Sequence, residues 1–171
     1  MAYTDTFSGE LEIRFNGTLV TTDGSIEGEK TISHKILKKV SEGAGSNQAV
    51  GGYSEIITVT TGGITLSLAD SADPASTAGD DIPTSDPEGL KLKGILFENQ
   101  DATNFVSVKK GTNGETSIFT GATDSVKITA GGLFLWYSPA GVSAMNDGAD
   151  DELLITADTA SCSVKLTYIF G

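Results

Sequence analysis

Few residues in this chain are suited to chemistry, and their placement limits what that chemistry is. His34 is the one histidine and Cys162 the one cysteine. A nucleophilic site of Ser-His-Asp or Cys-His type would have to use His34, with Cys162 or a serine attacking. Neither residue lies in a nucleophile elbow or another local signature. His34 therefore reads as a surface or packed strand histidine. Cys162, at the start of a strand, reads as a small buried hydrophobe. Carboxylates gather at Asp70, Asp73, Asp80 and Asp81, and again at Asp147, Asp150, Asp151 and Glu152. Calcium requires several oxygens converging on one point, and neither stretch has the spacing of a calcium loop. A glycosidase needs two carboxylates across a cleft, one with a raised pKa, and nothing selects such a pair. Phe134, Trp136 and Tyr137 suit sugar stacking, but alternation leaves both faces of Leu133–Tyr137 apolar. That pattern predicts a central strand covered on both sides, or a subunit interface. No phosphate loop, CxxC or HExxH occurs. The expectation is no catalytic residue, no cofactor and no metal.

The elements that hold these residues read as strands. Phe7, Leu11, Ile13 and Phe15 alternate with Glu10, Glu12, Arg14 and Asn16, one face buried and one wet. Asn16-Gly17 is a turn signal that would end this strand. Residues 26–41 are ambiguous, because Ile32, Ile36 and Val40 are spaced by four; a strand is favoured over a short helix. Glu55–Thr61 and Ile64–Ala69 read as a hairpin joined at Gly62-Gly63. Leu90–Phe97 and Phe105–Val108 flank a polar corner at residues 98–104, whose Asn99, Asp101, Thr103 and Asn104 suit an Asx-type turn. Further strands follow at 116–120, 125–130, 133–138, 152–157 and 162–170, about ten residues apart. This spacing predicts an all-β antiparallel sandwich of about eight to ten strands. In the last strand Val164, Leu166, Tyr168 and Phe170 share one face.

The length, 171 residues, fits a single sandwich domain over 1–171, with residues 1–10 as an extended N-terminal arm. Residues 70–89 hold three of the four prolines and six carboxylates, and form the one long acidic loop. The net charge is −12. Phosphate binding needs a basic face, so nucleic acid and anionic membranes are not expected partners. Residues 41–90 carry eight carboxylates and no Lys or Arg, a one-sign region fit to meet a basic patch. Residues 26–41 hold four of the eleven basic residues: Lys30, Lys35, Lys38 and Lys39. The first residues have neither the basic nor the apolar region of a signal peptide. No apolar run reaches the ~20 residues of a membrane helix. The expectation is a soluble protein made in a cytosol.

The run Gly94–Val108, an apolar strand leading into Asn99-Gln100-Asp101-Ala102-Thr103-Asn104 and a second strand Val106-Ser107-Val108, resembles small structural proteins of tailed phages. So do Ala130-Gly131-Gly132 before a strand, Leu153–Ala157, and the closing strand Val164–Phe170. The resemblance covers about residues 90–171. It implies a jelly-roll-like sandwich of the virion, resembling capsid decoration (cement) proteins, with no enzymatic role. It further implies the major capsid protein and the chain itself, as a homotrimer, as partners, and a place on the capsid exterior after assembly in the host cytoplasm. A phage tail or fibre component and a carbohydrate-binding module are the alternatives. Interface candidates are Leu133, Phe134, Leu135, Trp136 and Tyr137, with Asp80 and Asp81 of the acidic loop.

Overall fold

The computed structural model describes residues 9–23, 26–43, 45–69, 89–112, 114, 118–121, 123–142, 144–146 and 152–171; for 9, 11, 13–23, 26–34 and 42 it describes the backbone. The described residues form an all-β chain of two parts, a long ribbon and a sandwich of two antiparallel sheets.

The ribbon is β1 (Gly9–Asp23) paired antiparallel with β2 (Ile26–Glu42), from Gly9↔Val40 to Asp23↔Ile26. Residues 26–41 are thus strand, not helix. A spacing of four is a multiple of the strand period of two, so Ile32, Ile36 and Val40 share one face of β2 as readily as one face of a helix. The turn expected at Asn16-Gly17 does not form: both residues sit inside the ladder, opposite Ser33 and Ile32. Asn-Gly makes a tight turn only where its flanking segments pair with each other, and here both pair with β2. At its base β2 also pairs in parallel with β3 (Gln48–Ala49). Asn47 takes a left-handed conformation (φ 57°) to close that loop, a geometry asparagine tolerates better than most residues.

The sandwich has eight strands: β4 (Gly51–Val59), β5 (Ile64–Ser67), β6 (Leu92–Asn99), β7 (Val106–Lys110), β8 (Ser125–Ile128), β9 (Leu133–Tyr137), β10 (Glu152–Ala157) and β11 (Cys162–Phe170). One sheet has the order β4-β11-β6-β9, the other β5-β10-β7-β8. The order is nested. β7 pairs with β8, β6 with β9, β5 with β10 and β4 with β11. The chain is one long antiparallel ribbon folded over so that successive pairs alternate between sheets.

This corrects the hairpin expected at residues 55–69. β4 and β5 belong to different sheets, and Thr60–Gly63 carries the chain across the core. Ile57 and Val59 then face Leu66 and Leu68 from opposite layers, and all four are buried. β6 and β7 are likewise split across the corner at 100–105. The strand expected at 116–120 is absent over its described part: Ile118, Phe119 and Thr120 lie outside any strand. Phe119 is nevertheless buried and sits 6.5 Å, centroid to centroid, from Phe134. Side chains from both sheets fill the core, among them Phe97, Val108, Leu153, Leu166, Tyr168 and Phe170. The face predicted for β11 is the buried one.

Candidate functional site

The interface candidates of β9 lie on an edge strand, not a central one: β9 pairs with β6 alone. An edge strand keeps one side open, which is why its residues are half-buried and Leu133 is 68% exposed. Alternation divides the strand. Phe134 and Trp136 pack against the core, Phe134 stacking on Phe97 with centroids 6.4 Å apart. Leu135 and Tyr137 turn to the outer face of the sheet and line an apolar cavity of about 270 Å³ there.

Leu96, Thr167 and Ile169 supply the rest of the cavity's sheet wall, and the ribbon base adds Val40 and Glu10. Gly94 lies at its floor. A Cβ at that position would stand 3.2 Å from Tyr137 Cδ2 and 3.4 Å from Ile169 Cγ1. Glycine here lets β6 carry a strand without filling the cavity. The ribbon base is held to this region by polar contacts. Lys93 Nζ donates to the carbonyl oxygens of Gly45 (3.0 Å) and Pro139 (3.5 Å). The Asn47 N–H donates to the same Pro139 oxygen at 3.1 Å, and Tyr137 Oη–H donates to Asn47 Oδ1 at 3.4 Å. Lys93 is 2% exposed; burial and the neighbouring charge of Lys91 lower its pKa. Sequence reading gave Lys93, Gly94 and Val40 no site role. The one available signal was a Gly interrupting the apolar run of β6.

The polar corner at residues 99–104 is architectural. Asn99 is fully buried, and its Nδ2 donates to the carbonyls of Asn104 (2.9 Å), Thr129 (3.1 Å) and Ile128 (3.2 Å). Its Oδ1 accepts from the Asp101 N–H at 3.1 Å. Asp101 Oδ1 accepts from the N–H groups of Asn104 (2.6 Å) and Thr103 (2.8 Å). These two backbone bonds, Asn104 first, hold the Asp101 carboxyl below the usual carboxylate range. Thr159 Oγ1–H donates to Asn104 Oδ1 at 2.7 Å, tying in the β10–β11 turn. The corner side chains are committed to holding backbone, as an Asx corner requires.

Cys162 is buried, its Sγ toward the carbonyls of Ala160 (3.5 Å) and Phe105 (3.9 Å). Burial above all, then the charges of Asp101 and Asp158, pushes its thiol pKa up, the reverse of a nucleophile's environment. His34 is placed by backbone alone, opposite Phe15 in the ribbon. Asp80 and Asp81 lie outside the described residues, as do Asp70, Asp73, Asp147, Asp150 and Asp151; Glu152 opens β10. Among the described residues no group of three His, Cys, Asp or Glu side chains could hold a metal ion. The outer face of β4-β11-β6-β9, with the ribbon base seated on it, is the candidate functional surface. The sequence matches no protein-family model, and no curated protein is significantly similar to it.

Proposed function

We propose that the sandwich is a jelly roll and that the chain is a structural protein of a tailed-phage virion, a decoration protein that binds the capsid shell and stabilises it. The observation that carries this reading is the fold of the stretch behind the phage resemblance. Residues 94–108 and 130–137 form the strands β6, β7 and β9 and the two corners beside them. The Asn99 N–H donates to Gly132 O at 2.9 Å and the Gly131 N–H to Asp101 O at 3.0 Å. The resembling residues thus form strands and corners of both sheets, a use that suits a structural role. The nested strand order supports the jelly-roll reading, in which a ribbon folds over through two Greek keys.

A cement protein works through surfaces: the apolar outer face around Leu133 and Leu135 is one, and the sequence of residues 41–90, with eight carboxylates and no Lys or Arg, has the charge that suits a basic patch on the major capsid protein. Self-association as a homotrimer belongs to the same reading. Trp136 packs against the core, which favours a packing role for that ring over sugar stacking.

The test is reconstitution. Capsids assembled without the protein are incubated with it, sedimented, and heated while DNA release is followed. Co-sedimentation at a fixed copy number with a raised release temperature is expected. Capsids that neither bind the protein nor gain stability refute the reading, and binding to isolated tails instead supports the tail alternative.

A further inference from the structure

We infer that the cavity between the ribbon base and the outer face of the β4-β11-β6-β9 sheet is a binding site for a small uncharged apolar molecule, one or two rings in size. The inference goes beyond the capsid reading and holds or fails without it.

The floor of the cavity is set by the ladders of three neighbouring strands. Leu96 of β6 stands between Thr167 of β11 and Leu135 of β9, and Gly94 between Ile169 and Tyr137. The first rung presents three side chains. The second has bare backbone at its middle, flanked by an aliphatic and an aromatic side chain. Val40, buried, and Glu10, exposed, face this floor from the ribbon base. Polar contacts beside the cavity hold the base at its height. The Ser41 N–H donates to Asn47 O at 3.2 Å, and Asn47 is tied in turn to Pro139 O and the Tyr137 hydroxyl. Settling of the ribbon base onto the floor would break these bonds, so a space of about 270 Å³ stays open.

The walls select the occupant. A water in such a space needs two to four polar partners. The polar side chains that face it from the sheet are engaged elsewhere: Thr167 Oγ1 is hydrogen-bonded to Ser54 Oγ at 2.8 Å, and Tyr137 to Asn47. An apolar cavity of about 150 Å³ stays dry and takes up benzene; one of about 270 Å³ has room for two fused rings. Among the described residues that line it, Glu10 alone is charged. A charged ligand would lose its hydration against apolar walls with nothing to replace it, and an anion would also meet the Glu10 carboxylate.

Naphthalene, titrated into the full chain and followed by methyl NMR, provides the test. Saturable shifts are expected at Val40, Leu96, Leu135 and Ile169. None is expected at Leu133, which shares the strand and the outer face with Leu135 but is 68% exposed and outside the cavity. Naphthoate, the same rings with a carboxylate, is expected to bind at least about tenfold more weakly. Leu135→Trp, which fills the cavity, is expected to weaken naphthalene binding by at least about tenfold, and Leu133→Trp to leave it within about twofold. Cys162 staying unreactive reports an intact sandwich in each variant. If it reacts in Leu135→Trp, Leu135→Ala decides: the enlarged cavity should raise the preference for naphthalene over benzene at least about threefold. Absence of saturable shifts, equal shifts at Leu133, equal binding of naphthoate, or binding untouched by Leu135→Trp overturns the inference. Naphthalene affinity that falls as protein concentration rises would give the cavity to a second copy and overturn it as well.

Discussion

β4 and β11 pair over nine residues, from Gly51↔Phe170 to Val59↔Cys162, and β1 and β2 over fifteen. The shorter pair is the better covered. Every second residue of β11 is sealed against the opposite sheet, whereas among the ribbon side chains that are described only Val40 is buried. Ladder hydrogen bonds are net-modest in water because the unfolded chain bonds to solvent. A sheet becomes stable when one face loses its water. The two regions therefore separate pairing from burial within one chain, and substitutions in each should cost in proportion to burial rather than to ladder length.

The largest contrast is between Phe97 and Ile36. Phe97 is fully buried between the sheets and stacked on Phe134. Phe97→Ala should cost about 3–5 kcal/mol, the transfer loss plus the cavity it leaves. Ile36→Ala, measured where copies are apart, should cost under about 1 kcal/mol. Equilibrium denaturation of both variants checks the ratio. Equal costs would mean the ribbon is packed in the isolated chain.

Asn99→Ala comes next. It frees the Asn104, Ile128 and Thr129 carbonyls and the Asp101 N–H from their buried partner. Leaving buried polar groups unsatisfied costs about 1–3 kcal/mol. Hydrogen exchange should accelerate at residues 99–104 and 129–132 and stay unchanged in the ribbon, since the corner touches only the sandwich.

This corner is also where sequence and structure agree most closely. Asn99, Asp101, Thr103 and Asn104 are short polar residues that can bond their own backbone two or three residues on, so local chemistry decides the turn. Strand identity was legible from alternation for the same reason. Pairing was not. Gly62-Gly63 serves a hairpin or a crossing between sheets equally well, and the choice depends on β10 and β11, about ninety residues away along the chain. The edge position of Leu133–Tyr137 was hidden too, because Phe134 and Trp136 face the core while Leu135 and Tyr137 face the ribbon base, which mimics a centrally buried strand. Lys93 reads as a surface lysine until the loop at Gly45 and the turn at Pro139 close over it.

Asp101 adds a pH test confined to the sandwich. Its folded pKa lies below the ordinary value, so its contribution is fully present above about pH 4 and is lost as pH falls through the folded pKa. Asp101→Asn should therefore flatten the acid limb of stability below about pH 4 and leave pH 7 less stable than the wild type. Thermal melts across that range check the sign: an unchanged acid limb would mean the backbone bonds from Thr103 and Asn104 do not act on the carboxylate.

The smallest effect belongs to the wet face of the ribbon. The Lys35–Glu12 pair is an exposed diagonal contact in the ladder, Glu12 standing opposite Leu37. Such pairs contribute about 0.2–1 kcal/mol and weaken with salt. Glu12→Gln should change denaturation by no more than that, and added salt should erase the difference.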